Sequence, residues 1–348
     1  MDEFIVRGAA IVNPERIFRA DVWVKGDKIH YIHEKITGKL GVREIEASSF
    51  YLLPGFFHFG SHLGNARTTS KQFLSIQGEW VKRGFTFFVD DLTIGDVCDW
   101  RKQLRYEVSM YQNSWLDCQV RLSIPYAMLS EQLIRAVSSL RIPMLEVTIS
   151  NLETPNRLFW PILLACFRER RTALKLSFSP LFTGQEKKRW LETHLFLLLS
   201  TVKYHRIPFV LQEDKETVSW VSAHKQKELS YITWEMDESS SLSNARMQFG
   251  TLNSHVKALD TSGSLALFLQ KVTDVQSRRP AKLFNVYPQK GAIVPGSDAD
   301  FLLVSEKKIT KDATFWQPEI VYSKGTPINN FVLEEARVRK RQIYPYLL

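Results

Sequence analysis

The 348-residue chain has little cysteine, no long apolar run and no glycine-rich nucleotide loop. Its three cysteines, Cys98, Cys118 and Cys166, are odd in number, far apart and without any C-x-x-C spacing. That excludes a zinc ribbon or a disulfide framework and reads as buried free thiols. No stretch approaches the ~20 apolar residues that a membrane helix needs. The richest, 158–167 and 195–199, are short and flanked by charge. The start, MDEFIVRGAAIVN, lacks a basic-then-apolar signal pattern, so a cytoplasmic setting without a membrane partner is expected. Neither G-x-G-x-x-G nor G-x-x-x-x-G-K-[ST] occurs, which leaves nucleotide binding through such loops unsupported. No repeat or low-complexity linker is present.

What is there is ordinary globular material: 44% hydrophobic and 24% charged residues, enough for a sizeable core. The net charge of +9 favours acidic partners or nucleic acid in principle. The basic residues are spread, however. The densest groups, Arg168/Arg170/Arg171, Lys187/Lys188/Arg189 and Arg337/Arg339/Lys340/Arg341, read as solvated helix ends or strand edges, so a nucleic-acid partner is not expected.

Residues 4–12, 21–25 and 28–32 alternate apolar and polar side chains, with Gly26-Asp27 as a tight turn, and 45–53 supplies another strand. From Pro54 the pattern changes. Strand-like runs at 56–59, 86–89, 119–124, 144–149, 173–178, 209–211 and 231–234 alternate with helical periodicity at 70–83, 99–113, 130–140, 157–170, 187–204, 216–227 and 265–277. Strand and helix alternating in units of ~30 residues read as parallel βα units. Seven strands in sequence favour a barrel over an open sheet. From Ala292 the chain returns to strands. The expected class is α/β: a TIM-type (β/α) barrel over 54–285, with a composite β-sandwich domain from 1–53 and 286–348.

The organising stretch is LPGFFHFGSHL, Leu53–Leu63. It resembles the strand that opens the barrel of the amidohydrolase superfamily, P-G-(hydrophobic)-hydrophobic-D-x-H-x-H. Other segments resemble the dihydroorotase, hydantoinase and dihydropyrimidinase branch. They are FIVRGAAIVNPERIFRADVWVKGDKIHYI at the start, WVKRGFTFFVDD before strand two, YITWEMDESSSLSN at strand seven, and RRPAKLFNVYPQKGAIVPGSDADFLLV at the return to the β-domain. The last is the most specific, and the resemblance spans nearly the whole chain.

That resemblance implies one or two divalent ions held by an H-x-H pair, a carboxylated lysine on strand four, single histidines on strands five and six and an aspartate on strand eight. Such ions would lower the pKa of a bound hydroxide and polarise an amide carbonyl. In this chain Gly60 stands at the first histidine and His62 keeps the second. Glu146 stands at the lysine, Ser177 or a neighbour at the strand-five histidine with Lys175 nearby, and Gln212 at the strand-six histidine. No eighth strand is recognisable between Trp234 and Pro280, where His255 and Asp260 are the polar candidates. Glycine offers no ligand atom and an amide is a poor zinc ligand.

The expectation is therefore a catalytically inactive amidohydrolase-fold protein with these vestigial positions and no cofactor. It would act as a structural, regulatory or partner-binding subunit and form homo-oligomers. The alternatives are a cyclic-amide hydrolase with residual zinc or another divalent ion on His58, His62 and Glu146, or a basic surface for nucleic acid or an acidic protein. Gln212-Glu213-Asp214 reads either as a carboxylate site at a strand end or as a helix cap.

Overall fold

The computed structural model describes residues 3–37, 41–59, 70–95, 99–111, 114–140, 142–150, 152, 168, 172–212, 214–224, 232–236, 248–250, 264–309, 318–328 and 343–344. The first sheet begins with β1 (Glu3–Val12), β2 (Ile17–Lys25), β3 (Lys28–His33), β4 (Arg43–Glu46) and β5 (Phe50–Pro54). The second is built from β6 (Phe56–Phe59), β7 (Phe85–Thr93), β8 (Asp117–Pro125), β9 (Met144–Ile149), β10 (Ala173–Phe178), β11 (Phe209–Gln212), β12 (Ile232–Met236) and β13 (Gln248–Gly250). The chain then adds β14 (Phe301–Ser305), β15 (Ile320–Ser323) and β16 (Thr326–Pro327) to the first sheet and β17 (Ile343–Tyr344) to the second.

In the first sheet the order is β16-β15-β14-β5-β1-β2-β3, with β4 also on β1. It curls on itself. Phe4 of β1 and Tyr322 of β15 lie three places apart in that order, yet their rings approach to 5.4 Å over a core of Val6, Ile11, Val22, Leu52 and Phe301. β15 and β16 are joined by Lys324-Gly325, both at positive φ (50° and 72°), the two-residue turn that matches strand twist.

Strands β6 to β13 pair in chain order, all parallel. They form a curled half-barrel. β7 and β8 are buried along nearly their whole length, as a sheet covered on both faces requires. Outside lie α1 (Ser70–Lys82), α2 (Trp100–Met110) and α3 (Glu131–Ser139). Next come α4 (Gly184–Trp190, a wide π turn Leu191–Leu195, then Phe196–His205) and α5 (Lys215–His224). The last is α6 (Leu265–Thr273, a π turn Asp274–Arg278, then Arg279–Leu283). Ser130 starts α3 by accepting from the Leu133 amide at 3.1 Å, the N-cap arrangement its position favours. No described helix is long and apolar enough to cross a membrane.

One residue, Gly55, separates β5 from β6 and carries the chain from one sheet to the other. Its amide donates to the Asp300 carbonyl at 3.0 Å. A Cβ there would lie 2.0 Å from the Thr86 hydroxyl oxygen, so only glycine permits the crossing.

Two expectations change here. An eighth strand exists, at Gln248–Gly250, paired with β12. At three residues it is too short for sequence alternation to reveal. Among the described residues its far edge is not hydrogen-bonded to β6; the π turn of α6 packs against both strands, and Ser277 donates to the Pro54 and Gly55 carbonyls at 3.2 and 3.0 Å. At the C-terminus, Ile343–Tyr344 pairs with Cys118-Gln119 of β8 instead of joining the sandwich. β9 meets β8 only from Leu122 onward, which leaves that stretch of β8 open to a partner.

Candidate functional site

Strand alternation divides the half-barrel cleanly. Phe57, Phe59, Phe87, Val89, Met144 and Ala173 share an inner cluster with Phe284 and Val286. Phe56, Phe88, Leu122, Leu145 and Leu174 pack outward under the helices. By the same alternation Asp91, Arg121, Ser123, Glu146, Thr148, Lys175 and Ser177 fall on the inner face.

These inner residues make one connected network. Arg121 grips Asp91 with two bonds, Nε to Oδ1 and Nη2 to Oδ2, both 2.6 Å. Its Nε also lies 3.4 Å from Glu146 Oε2, and Lys175 Nζ lies 3.1 Å from the same oxygen. All four residues are buried. Beyond them a row of hydroxyls crosses three strands: Ser123 to Thr148 at 3.4 Å and Thr148 to Ser177 at 3.0 Å. Asp90, one residue from Asp91, points the other way and accepts from the Tyr111 hydroxyl.

Glu146 and Ser177 are thus brought together, one layer apart. Gln212 ends β11 in register with Glu235 of β12 and is exposed. His58 is not part of the set. It lies on the helix-facing side, its ring 4.1 Å from that of Trp80 and 5.0 Å from that of Phe85. Burial there, reinforced by Arg83, lowers its pKa to about 4. A metal shared by His58 and Glu146 would need both faces of the sheet at once, so that pairing is corrected. Gly60, His62, His255 and Asp260 lie outside the described residues, as do Cys98, Cys166 and Glu213. Cys118 is a buried thiol, pushed up by burial and then by Asp117 and Asp90. Asp214 caps α5: it accepts from the Thr217 amide at 3.0 Å and the Thr217 hydroxyl at 2.6 Å, and pairs with the buried Lys187 at 2.6 Å.

Asp91 and Arg121 escaped the sequence reading. The signal was present: each is a charge inside an otherwise apolar strand, FTFFVDDLT and DCQVRLSIP.

A second buried charge cluster lies between the two sheets. Asp117, Asp298 and Asp300 bring carboxylate oxygens within 4.8 Å of one another, a set that could hold a cation. Lys290 supplies that cation. Its ammonium lies 2.6 Å from Asp117 and 2.7 Å from Asp298 and bonds Asp300. Lys324 adds a contact to Asp117 at 2.9 Å, and Lys28 pairs with Asp298. Burial would lower the Lys290 pKa, but Asp117, Asp300 and Asp298 outweigh it and hold it well above the usual lysine value.

Neither cluster fits a divalent ion. Among the described residues of the inner face, Asp91 and Glu146 each already have a cation, so two carboxylates, one guanidinium and one ammonium sum to zero. A dication placed among them gains little net Coulomb energy and still loses its hydration. Between the sheets the central position belongs to Lys290.

The fold is a curled parallel βα sheet with a second β-sheet made from both ends of the chain. Its likeness to solved structures is extensive. A dihydropyrimidinase from Brevibacillus agri NCHU1002 superposes with a TM-score of 0.68 at 16% identity, over 98% of this chain and 96% of that one. A D-hydantoinase gives 0.70 at 16% identity, over 95% and 96%. The L-hydantoinase of Arthrobacter aurescens gives 0.62 at 15% identity, over 99% and 97%. In sequence, 65 residues are 42% identical to an L-hydantoinase of Paenarthrobacter aurescens, a match spanning 18% of this chain and 14% of that protein. No protein-family model matches the chain. The resemblance read from LPGFF and GSDADFLLV therefore holds at the level of fold.

Proposed function

We propose that this protein is a catalytically inactive relative of the hydantoinases and dihydropyrimidinases that acts as a structural, regulatory or partner-binding subunit. The observation that carries the reading is the self-neutralised quartet Asp91–Arg121–Glu146–Lys175. The resemblance reserves the fourth-strand position for a lysine that serves a metal; here the residue is a carboxylate held by two cations. With these four charges balanced against one another, the described residues of the barrel interior offer no carboxylate or lysine set aside for activating a hydroxide. Work then falls to the surface. The outer face of α4 carries exposed Leu197 and Tyr204, which suits self-association or a protein partner. A cytoplasmic setting agrees with scattered cysteines and the buried Cys118 thiol. The sandwich of 1–53 with 286–348, apart from Ile343–Tyr344 on β8, and the barrel of 54–285 are proposed as its two domains.

The test is direct. Protein purified without chelator is assayed for hydrolysis of dihydroorotate, dihydrouracil and hydantoin with added zinc or manganese, and its metal content is measured. The expected result is no turnover and far less than one metal per chain. Turnover at an enzyme-like rate that a chelator abolishes overturns the reading.

A further inference from the structure

The barrel has a seam. β6 is laddered by β7 and β13 by β12, and among the described residues no ladder joins β6 to β13. The π turn of α6, Asp274–Arg278, packs against both strands at this gap. It is fixed in place. The Ser277 hydroxyl donates to the Pro54 and Gly55 carbonyls. Gly291 approaches so closely that a Cβ there would lie 2.4 Å from the Ser277 carbonyl oxygen.

This part of α6 carries more polar side chain than its surroundings satisfy. Thr273 is 0% exposed and Gln276 1%. The Thr273 hydroxyl and both ends of the Gln276 amide have no hydrogen-bond partner among the described residues. Gln276 is the one described side chain with two such buried atoms. Buried polar groups in folded proteins are nearly always bonded, and one left unmet is destabilising. An apolar slot takes residues such as Leu269 and Val272, which precede them on α6 and join the core. Residues three apart on a helix are neighbours on its surface, so Thr273 and Gln276 can serve one ligand.

The unmet set selects that ligand. Gln276 Nε2 donates, Gln276 Oε1 accepts, and the Thr273 hydroxyl does either. A metal cation offers nothing to Nε2, and an anion offers nothing to Oε1. The neighbouring charge helps neither ion, because Asp274 is already bonded by Arg278 and Arg279 at 2.7 Å each. A small neutral molecule that both donates and accepts fits, and water is the one that buried sites of this kind hold.

We propose that ordered water binds at this seam between Thr273 and Gln276 and bridges α6 to the facing edges of β6 and β13, in place of the missing ladder. The site is independent of whether the barrel interior catalyses anything.

The experiment pairs a crystal structure of the full chain, at a resolution that shows water, with thermal unfolding of Gln276→Leu, Thr273→Val and the double variant. The expected density lies about 3 Å from the Gln276 amide and the Thr273 hydroxyl, in contact with a backbone group of β6 or β13. Each single substitution strips a partner from bound water and is expected to lower the midpoint by roughly 2–5 °C. The double variant falls by less than the sum, because both residues serve the same water. The midpoint is the same in sodium and potassium chloride. A midpoint that rises in either single variant marks dry, unmet groups. A difference between the two salts marks a bound cation, and density with the amide bonded to protein alone marks no ligand. Each of these three results overturns the proposal, and the density decides if a variant fails to fold.

Discussion

The two buried charge clusters have opposite designs. In the barrel, Asp91, Arg121, Glu146 and Lys175 sit on four successive strands and pair with neighbours one strand away. Between the sheets, one ammonium sits inside three carboxylates drawn from distant parts of the chain; Asp117 and Lys290 are 173 residues apart, and Lys28 and Asp298 are 270 apart. The first arrangement fills a cavity. The second fastens two sheets, because Asp117 belongs to β8 while Lys324 lies in the turn after β15. The difference teaches that a buried ion pair has meaning only through what its partners are attached to. Neighbouring strands are already held by their ladder, so the barrel quartet adds little to the fold; between the sheets Lys28 and Asp298 share a backbone bridge, but β8, which carries Asp117, pairs with neither Lys290 nor Lys324.

The sharpest way to break this contrast is Lys290→Met, which leaves three carboxylates buried around an apolar tip. Removing one partner of a buried pair costs about 3–5 kcal/mol, and this variant is expected at or above that range in urea unfolding. The wild-type Lys290 pKa is raised, so its contribution is complete below the ordinary lysine value of 10.5 and fades as pH rises beyond it. A loss under ~1 kcal/mol would make the knot incidental.

Arg121→Met comes next, at about 3 kcal/mol, since Asp91 loses its two-bond partner in a buried place. The double change Arg121→Met with Asp91→Leu is expected to recover most of that loss, because an apolar pair can replace a buried ion pair at little cost. If the double variant is as unstable as the single one, the quartet is a folding element and the contrast fails.

His58 sharpens the comparison from the outer face, where a titratable ring has no counter-charge among the described residues. Its pKa is about 4 folded against 6.5 unfolded, so the unfolded chain takes the proton first as pH falls. Stability is full above pH 6.5 and declines toward pH 4, by at most about 3 kcal/mol. His58→Phe is expected to flatten that limb in unfolding curves at pH 7 and pH 4.5; an unchanged slope would assign the acid sensitivity to another group. The smallest effect is Asp214→Ala, about 1–2 kcal/mol for the lost α5 cap and the Lys187 pairing, read as a thermal midpoint shift.

The barrel was legible because parallel βα units leave a period. Seven strands announced themselves as apolar runs, and Leu53-Pro54-Gly55 marked the passage between sheets. The candidate site was legible only where a motif supplied the position, as at Glu146, Ser177 and Gln212. Asp91 and Arg121 were not, because a charge in an apolar strand does not say which face it takes: Asp90 and Asp91 are chemically identical, and the pleat alone sends one to Tyr111 and the other to Arg121. Nor could spacing place His58, which shares its alternation with Gly60 and His62 in the sequence but meets Trp80 across the helix layer.

What the sequence determined by itself was local: strand and helix periods, the single glycine at the crossing, and the absence of histidine and lysine where the resemblance asks for them. Which charges meet was decided by tertiary structure. Hydrogen-bonded strands fix register to the residue, which sets Arg121 opposite Asp91 and diagonal to Glu146; the fold of the 290–300 segment against β8 places Lys290 among three aspartates. Coulomb energy depends on that last ångström of separation, and a linear order of residues does not contain it.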